Sequence, residues 1–409
     1  MRPKVLESEW RTMRIDECFD IQQGKQVSKS NRRGDNQHPF LRTANIFWDG
    51  LDLSHLDQMH FTPQEEEKFT LQNGDLLLCE GGDVGRTAMW RGELERCYYQ
   101  NHLHRLRKLS DEIDEHYVHL YLKYAFVYAR LYLGRANVTT IPNLSKSRLG
   151  ELEISLPLIQ EQKAIARVLT IVQDAIAEQE NLIAKLKELK RSMMRHLFTK
   201  GTKGEKTKMT EIGEMPESWK TVELIDVCDK PQYGFTDSAS KNGNVKFLRI
   251  TDITENGVNW NTVPFCSCSE PEKYLLHDGD IVFARIGATT GKSFLLKNPD
   301  NAVYASYLIR VRAKAIDSSF LYHYFQTGAY WKQIDSQKGM NLKGGVNGSI
   351  LSKLLVPMCN GDEQLKIAAS LNTINARVES AQAKLASYQD LFKTLLHELM
   401  SGERRIKIV

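Results

Sequence analysis

The segments FLRTANI at 40–46 and FLRITDI at 247–253 are two versions of one sequence, 207 positions apart. Other matched pairs follow in the same order along the chain, at offsets that shrink from 209 to 202. They are Trp10 with Trp219, LQNGDLLL at 71–78 with LHDGDIVF at 276–283, Arg105 and Arg107 with Arg310 and Arg312, and Glu161–Gln162 with Glu363–Gln364. Because chance similarity does not keep such an order, the 409 residues form an internal repeat of two halves.

Each half reads as a mixed segment of about 150 residues followed by a helix of about 38 residues. In the mixed segments, apolar runs such as DLLLCE and DIVFAR follow Asn-Gly and Asp-Gly turns, which is typical of strands. Pro and Gly are absent from 161–200 and from 363–401, and a glycine that can end a helix follows each stretch. We therefore predict an α+β fold. The first half has a mixed α/β domain over 1–158 and a long helix over 159–201. The second half has a mixed domain over 202–359, which starts with a linker over 202–212, and a second long helix with a C-terminal tail over 360–409.

Both predicted helices carry an apolar seam with heptad spacing. In the second helix the seam consists of Ile367, Leu371, Ile374, Val378, Ala381, Leu385, Tyr388, Phe392, Leu395 and Leu399. The equivalent positions of the first helix, 202 residues earlier, are apolar except for Gln179 and Lys190. About five heptads exceed what a single amphipathic helix on a globular domain needs, so the spacing indicates a coiled coil with helices about 57 Å long. Asn360 followed by Glu363 indicates an N-terminal cap on the second helix.

Two equivalent halves can pack around an approximate twofold axis, which sets the two helices antiparallel with one mixed domain at each end. The predicted architecture is therefore two mixed α/β domains separated by two long antiparallel coiled-coil helices, with a pseudo-twofold internal repeat. Such helices would act as a ruler that holds the two domains at a fixed separation. A ruler suits a ligand that is itself long and regular.

Composition excludes several classes of protein. With 55 Lys and Arg against 51 Asp and Glu, the net charge of +4 is too small for a polyelectrolyte binder, and 41% hydrophobic residues are typical of a globular protein. No signal-peptide core and no uncharged run of the roughly 18 residues that a membrane span needs occur, so we expect a cytoplasmic protein. The seven cysteines form no CxxC pair, and we expect buried reduced thiols.

Positive charge is concentrated in segments that recur in both halves. The segments 22–42 and 84–108 each carry a net charge of +4, and 285–314 carries +5. In the predicted strand around Arg310 and Arg312, basic and apolar residues alternate, so the basic side chains share one face. A basic strand face alone is often only a solvated surface, but its recurrence in both halves favours contacts with the phosphates of a nucleic acid.

Glycine-rich segments lie just before these basic strands, GGDVGRT at 81–87 and GATTGKS at 287–293. The second is close to a phosphate loop, but three residues instead of four separate its glycines, a strand pattern follows it, and the first copy has Arg86 in place of the lysine. A nucleotide-dependent enzyme is the alternative that this segment leaves open. A tight loop that projects Arg86 or Lys292 toward a phosphate or a base edge fits both copies better.

Motifs of common catalytic sites are missing from the sequence. It contains no HExxH, no GxSxG and no Asn-Pro-Pro-aromatic tetrad of amino-methyltransferases, and Pro299–Asp300 lacks the acidic-x-Lys of nucleases. His102 and His104 have the spacing of one strand face, and without a third ligand a polar pair is favoured over a metal site. We predict no catalytic residue and no metal in this chain.

Over essentially its full length the chain resembles the DNA specificity subunit of type I restriction-modification systems. The resemblance is carried by the two-half organisation, by FARIGATTGK at 283–292 and by IPNLSKSRLGELEISLPLIQEQKAIARVL at 141–169. VPMCNGDEQLKIAASL at 356–371 matches the latter segment less well, because it lacks the leucine before its proline and has two extra residues before Glu363.

This resemblance implies two target-recognition domains, each reading one half of a bipartite DNA site, with the paired helices fixing the unread spacer. It also implies that catalysis lies in partners: two methylation subunits that bind S-adenosylmethionine and flip an adenine, and in some systems two restriction subunits that use ATP and Mg. No cofactor is then expected in this chain. The helix pair and the tail at Glu403–Arg405 are the expected docking surfaces for those subunits.

We predict DNA contacts for polar and basic residues at corresponding positions of the two halves, because such residues should face one common ligand. They are Lys25, Arg42, Asn45, Arg86, Asn101, His102 and Arg105 in the first half, and Arg249, Asp252, Arg285, Lys292, Ser306, Tyr307 and Arg310 in the second. The alternative from a different class is a coiled-coil scaffold with two protein-binding heads, which would show no salt-dependent affinity for DNA.

Overall fold

The computed structural model describes residues 10–132, 143–254, 257–340 and 345–407, with the backbone alone for 337–340. The chain divides into two compact units, the first made of residues up to 178 and from 385 onward, the second of 179–384. Each unit contains one mixed domain and parts of both long helices, Ile159–Lys200 and Gly361–Met400. The start of the quoted segment 141–169, at 141–142, lies outside the described residues, as do 1–9 and 408–409.

The first unit is mixed α/β, with a main antiparallel sheet and three smaller ones. Its strands are β1 Arg11–Arg14, β2 Phe19–Gln23, β3 Gln37–Leu41, β4 Ile46–Phe47, β5 Gly50–Leu51, β6 Asp57–His60, β7 Leu76–Cys79, β8 Thr87–Met89, β9 Tyr98–Tyr99, β10 Leu103–Lys108 and β11 Glu153–Leu156. Its short helices are Ile15–Cys18, Asn31–Arg33, Thr43–Asn45, Pro63–Phe69, Glu115–Lys123 with the π-helical turn Tyr124–Tyr128, and Lys146–Gly150. The main sheet has the order β2-β10-β7-β8, and the others are β6-β3-β9, β1-β11 and β4-β5.

The second unit is also mixed α/β. Its strands are β12 Thr207–Thr210, β13 Gly213–Pro216, β14 Lys220–Glu223, β15 Gln232–Tyr233, β16 Val245–Leu248, β17 Ile253–Thr254, β18 Gly257–Val258, β19 Phe265–Cys266, β20 Ile281–Ala284, β21 Ser293–Leu295, β22 Ala302–Tyr304, β23 Leu308–Val311 and β24 Leu355–Met358. Its short helices are Leu224–Val227, Ile250–Asp252, Pro271–Tyr274, Ser318–Tyr324, Gly328–Met340 and Gly348–Ser352. The main sheet has the order β15-β23-β20-β21, and the others are β19-β16-β22, β14-β24, β17-β18 and β12-β13.

Every sheet of the first unit has a counterpart of the same strand order in the second unit. The hairpin β12-β13 has no counterpart among the described strands of the first unit, and it begins inside the segment 202–212, where the sequence predicts a linker. Gly213 has a φ of 110° at the turn of this hairpin, a conformation that a glycine adopts without strain. The residues between the first long helix and the second domain are therefore partly ordered as a β-hairpin.

The core of the first unit includes both long helices. Ile165 and Leu169 near the start of the first helix share a buried cluster with Phe392, Leu396 and Leu399 near the end of the second helix. Apolar side chains at four-three spacing on each helix form this buried surface. Removing apolar surface from water is the dominant favourable contribution to folding. The first mixed domain packs against both helix segments through the same cluster.

The core of the second unit pairs the opposite segments of the two helices. Met194 and Phe198 near the end of the first helix share a buried cluster with Ile367, Ala368 and Leu371 near the start of the second helix. Thus, in each unit, the start of one long helix lies in the same cluster as the end of the other.

Two glutamines fix the starts of the long helices in the same way. Gln162 accepts from the Asp114 amide at 2.9 Å and donates to the Pro157 carbonyl at 2.9 Å. Gln364 accepts from the Asp317 amide at 2.7 Å and donates to the Cys359 carbonyl at 2.8 Å. Both glutamine side chains are buried, so these bonds satisfy polar groups that would otherwise destabilise the fold.

The neighbouring glutamates are also tied at both helix starts. Arg405 donates to both carboxylate oxygens of Glu161, each at 2.7 Å, while Glu363 accepts from the Thr202 amide at 3.0 Å and pairs with Lys203 at 3.1 Å. The C-terminal tail therefore binds the start of the first long helix through Arg405. In the same way, Thr202 and Lys203, which follow the first long helix, bind the start of the second long helix. The predicted cap is confirmed, since the Asn360 side chain accepts from the Glu363 amide at 3.0 Å.

A buried ion pair anchors the main sheet of each unit. Asp75 binds Arg107 of β10 at 2.7 and 2.8 Å, and Asp280 binds Arg312, the residue directly after β23, at 2.7 and 2.9 Å. Both aspartates are at most 1% exposed, and the hydrogen bonds that they accept raise the pKa of each arginine. These arginines of the basic strands therefore serve the fold, because a buried carboxylate needs a paired cation.

All seven cysteines are buried and unpaired, so the prediction of reduced thiols in the core is confirmed. Burial raises the pKa of the Cys97 thiol to about 12, which keeps it protonated at neutral pH. Among the described residues, no helix combines the length and the apolar character that crossing a membrane requires.

Candidate nucleic-acid interface

The two glycine-rich segments form the turns β7-β8 and β20-β21 at matching ends of the main sheets. Gly85 and Gly291 have φ values of 84° and 87°, and their amides donate to the carbonyls of Cys79 at 3.0 Å and Ala284 at 2.9 Å. A Cβ atom at Gly85 would lie 2.4 Å from the Phe126 ring, so only glycine fits there. The two turns thus place the residue after Gly85 and the residue after Gly291 at equivalent positions in the two units.

That following residue is Arg86 in the first unit and Lys292 in the second. The Arg86 guanidinium donates to the Thr43 carbonyl at 2.8 Å, pairs with Asp83 at 2.5 Å and lies 5.3 Å from the centre of the Phe47 ring. Lys292 is exposed, and its side chain makes no hydrogen bond or ion pair within the described ranges. Arg86 is held in place by its own unit, whereas Lys292 is available to an anion.

Three further positions lie next to each turn and correspond between the units. In the first unit the Glu80 amide donates to the His102 carbonyl at 2.9 Å, and in the second the Arg285 amide donates to the Tyr307 carbonyl at 3.0 Å. Gln23 of β2 and Tyr233 of β15 are the third pair of corresponding residues, because Gln23 pairs with β10 in the same register as Tyr233 pairs with β23. We call Gln23, Glu80 and His102 the first edge, and Tyr233, Arg285 and Tyr307 the second edge.

The first edge is amide, acid and imidazole. Gln23 donates to the Glu80 carboxylate at 3.1 Å, and a ring nitrogen of His102 lies 3.9 Å from the same carboxylate. The Glu80 side chain is 10% exposed, whereas the His102 side chain is 61% exposed. This edge therefore combines a carboxylate that accepts hydrogen bonds with an exposed imidazole.

The second edge is aromatic and basic. The Arg285 guanidinium lies 5.1 Å from the centre of the Tyr233 ring, a distance at which a cation is attracted to the ring face. Tyr307 is 56% exposed and Tyr233 is 39% exposed. This edge presents donors and flat rings where the first edge presents acceptors.

Two of the predicted DNA contacts in the first unit have partners inside the unit. The ammonium of Lys25 donates to Glu65 and to the His60 carbonyl, both at 2.6 Å. Burial favours the protonated form of Glu65, but the Lys25 and Thr62 bonds outweigh it, so the pKa of this carboxyl is lowered. Asn45, which is 4% exposed, bonds to backbone groups of its own loop.

The two predicted contacts on the basic strands are also largely internal. Arg105 is 5% exposed and binds Asp20 at 2.6 Å. Arg310 donates to the Leu275 carbonyl at 2.8 Å and lies 5.5 Å from the centre of the Tyr304 ring. The structure therefore puts both guanidinium groups against their own units at equivalent places.

The remaining predicted residues lie on the loops around the edges. Arg42 pairs with Asp57 at 3.2 Å, and Arg249 binds Asp252 through two bonds at 2.7 and 3.0 Å. Asn101 and Ser306 occupy equivalent turns, where their amides donate to the carbonyls of Lys25 and Phe235. These side chains surround the edges in both units.

The sequence prediction omitted three of the six edge residues, Gln23, Glu80 and Tyr233. A signal for them was present, because the offset of 205 that matches the basic strands also pairs Glu80 with the predicted Arg285. Glu80 and Arg285 carry opposite charges, so a comparison of the two halves by residue identity does not recognise them as corresponding positions. Gln23 and Tyr233 become equivalent only through the strand register.

The side chains of His102 and His104 differ in exposure, since that of His102 is 61% exposed and His104 lies in the core. A ring nitrogen of His104, which is fully buried, lies 2.9 Å from the Leu144 carbonyl, and burial lowers the pKa of this ring. No group of three His, Cys, Asp or Glu side chains in the described part of the chain could hold a metal ion.

A family model for the type I restriction modification DNA specificity domain matches this chain twice, over residues 7–188 and 216–387. The chain is also similar to two proteins of Methanocaldococcus jannaschii. The type I restriction enzyme MjaVIII specificity subunit is 26% identical over 98% of this chain and 94% of its own length. The putative type I restriction enzyme MjaX specificity subunit is 25% identical over 98% of this chain and 95% of its own length.

Solved structures show the same fold. The S subunit of a type I restriction-modification system from M. genitalium aligns over 100% of this chain and 99% of its own, with a TM-score of 0.63 and 16% identity. A chain from a study of complex assembly and conformational transition in the type I R-M system aligns over 97% of this chain and 99% of its own, with a TM-score of 0.57 and 15% identity.

Proposed function

The chain belongs to the type I restriction-modification DNA specificity family, and from that premise we propose that each of its two units reads one half of a bipartite DNA site. Its role is DNA recognition within a restriction-modification complex, and it is a non-catalytic subunit. Catalysis and the cofactors S-adenosylmethionine, ATP and Mg belong, in this proposal, to methylation and restriction subunits that assemble with it in the cytoplasm.

One observation carries the assignment of one unit to each half-site. The two units share strand orders, turns and buried pairs, but the first edge holds Gln23, Glu80 and His102 where the second holds Tyr233, Arg285 and Tyr307. A carboxylate accepts from the amino group of cytosine, and a guanidinium donates to guanine. Two equal frames with different side chains at the same edge positions are suited to reading two different sequences.

The predicted DNA contacts divide into two roles in this proposal. The edge residues Arg285, which is half-buried, and Tyr307 and His102, which are exposed, would touch bases or phosphates directly, as would the exposed Lys292. The residues that are bonded internally, such as Lys25 and Arg105, would position the loops that carry those contacts. Phosphate contacts would set affinity and the edges would set sequence preference.

We also propose that the two long helices form an antiparallel coiled coil about a pseudo-twofold axis and fix the spacer between the half-sites. Within the second unit, the side-chain amide of Gln179 donates to the Ala381 carbonyl at 3.1 Å. These residues lie at the middle of their helices and are equivalent in the repeat, 202 positions apart. Two equivalent residues meet only where such an axis would pass. This arrangement supports the proposed domains at 1–158 and 202–359, with the helices and the tail available for the methylation subunits.

The decisive experiment is methylation-sensitive genome sequencing of a strain with and without this chain, followed by binding of the complex to duplexes with either half-site scrambled. We expect a split motif with one spacer length. Arg285→Ala should weaken binding to the second half-site about tenfold, the scale of one lost bidentate base contact, and spare the first. The reciprocal variant, His102→Ala, should affect the first half-site only.

Equal losses at both half-sites in either variant would contradict the assignment of units to half-sites. Absence of salt-dependent DNA affinity in the assembled complex would instead favour the protein-binding scaffold.

A further inference from the structure

A cavity of about 690 Å³ lies in the second unit, between the end of the first long helix, β21 and the second long helix. Three lysines and four aromatic residues are part of its lining: Lys190, Lys292, Lys297, Trp260, Phe294, Tyr322 and Trp331. The side chains of the three lysines make no ion pair or hydrogen bond with any residue that the structure describes. Glu379 is an acidic residue on the same wall.

Lys190 is one of the two polar residues that interrupt the apolar seam of the first long helix. Its repeat equivalent in the second helix is Phe392, which is 5% exposed and belongs to the core of the first unit. Burial lowers the pKa of Lys190, and the Glu379 carboxylate opposes this effect. A half-buried ammonium without a paired anion costs free energy, so its presence in place of a core phenylalanine calls for a compensating charge.

The first unit shows that an anion fits at the equivalent place. There the Asp49 carboxylate binds Lys123 at 2.5 Å and lies 3.4 Å from the amide of Gln173 on the first long helix. The residues of the second unit that correspond to Lys123 and Gln173 are Gln326 and Asn375, and both line the cavity. In the first unit the anion is Asp49 of the chain itself. The equivalent position of the second unit, Asn256, lies outside the described residues, and the described lining of the cavity holds three lysines and one carboxylate, Glu379.

The aromatic lining narrows the class of anion. Indole and phenol rings stack on nucleobases with little preference for sequence, and lysines bind phosphates as point charges. Asn372, Asn375 and Gln326 add neutral donors and acceptors to the same walls. A simple acid would use the lysines and leave the rings unused, while a nucleotide uses both.

We propose that this cavity binds a nucleotide unit, with its phosphate on the lysines and its base against the aromatic wall. The unit comes either from a free nucleotide or from a DNA strand that passes from the second edge, since Lys292 belongs to both the glycine-rich turn and the cavity. The proposal does not require that the chain read a bipartite site.

The test measures binding of dAMP, deoxyadenosine and a duplex DNA to the full chain by titration calorimetry. For a free nucleotide, dAMP should bind at least tenfold tighter than deoxyadenosine, and Lys190→Gln should weaken dAMP binding about tenfold, the scale of one lost charge-assisted bond. Lys187→Gln is the matched control, because Lys187 is exposed on the same helix and does not line the cavity. Lys297→Gln, at an exposed position, guards against a folding defect in the first variant.

For a DNA source, dAMP would bind weakly, and Lys190→Gln and Lys297→Gln would each lower duplex affinity and reduce its salt slope by about 0.9. Unchanged affinity for both dAMP and duplex DNA in the two variants would overturn the proposal. Loss of dAMP binding without a split DNA motif would keep this inference and defeat the proposed half-site reading.

Discussion

The first edge and the second edge occupy the same strand positions, yet one presents an amide, an acid and an imidazole and the other two phenols and a guanidinium. Beneath them the two units are alike, with Asp75 bound to Arg107 in one and Asp280 to Arg312 in the other. The buried pair cannot change without leaving an unpaired charge in the core. Edge residues such as His102 and Tyr307 are exposed and carry no such penalty, so the units share a frame and differ in what they present.

The largest expected effect comes from breaking the shared frame. Asp280→Ala leaves Arg312 without its buried partner and should lower the free energy of unfolding by about 3–5 kcal/mol, and Asp75→Ala should do the same through Arg107. Denaturant unfolding of each variant measures the loss. The control Glu272→Gln, at an exposed helix position, should change stability by less than about 0.5 kcal/mol. A loss below about 1 kcal/mol in either aspartate variant would show that the pair is not essential to the frame.

A second effect should appear on acidification, through histidines that are not equivalent in the two units. Burial, the largest cause, lowers the pKa of His119 to about 4 and that of His323 to about 4. In the unfolded chain each of these histidines binds a proton near pH 6.5, whereas in the folded chain it stays neutral until about pH 4. The stability of the folded state therefore falls as the pH drops from 6.5 toward 4. At pH 5 each ring should cost about 2 kcal/mol.

Unfolding at pH 7 and pH 5 tests this titration. His323→Gln can still donate to Asn372, to which His323 is bonded at 2.9 Å, and should remove one share of the pH dependence. His119→Gln should remove the other. A variant with the full pH dependence of the parent protein would assign the loss to other groups.

The smallest expected effect concerns the edges, where exchange should alter recognition. Glu80→Arg and Arg285→Glu swap the central edge residues and should each change affinity for one half-site by about tenfold, because one base contact is worth about 1–3 kcal/mol. The methylated motif of each variant, read by sequencing, is the measurement. An unchanged motif in both variants would place base reading elsewhere in the loops.

The sequence predicted the features that depend on local pattern. Heptad spacing located both long helices, and Asn360 correctly marked the cap of the second. The glycine turns were located because Gly85 and Gly291 need positive φ values. The hairpin β12-β13 was missed because its polar, basic residues lack the apolar alternation of a strand.

Side-chain partners were harder to predict. The basic strand pattern suggested free arginines, but Arg107 and Arg312 bind buried aspartates that lie 32 residues away in the chain. The spacing of residues within one strand does not predict which residues of a neighbouring segment they contact. For the same reason Gln23 and Tyr233 were recognised as edge positions only from the strand register.

The division of the chain between the units bears on how the protein is made. The core of the first unit needs Phe392, Leu396 and Leu399, which leave the ribosome more than 200 residues after Ile165 and Leu169. At 5–20 residues per second this delay is roughly 10 to 40 s. During that time the second unit, a continuous stretch from 179 to 384, can complete its own core. The part of the first unit's core that Phe392, Leu396 and Leu399 cover is therefore the last to be buried, and a chaperone would find it exposed until the end of synthesis.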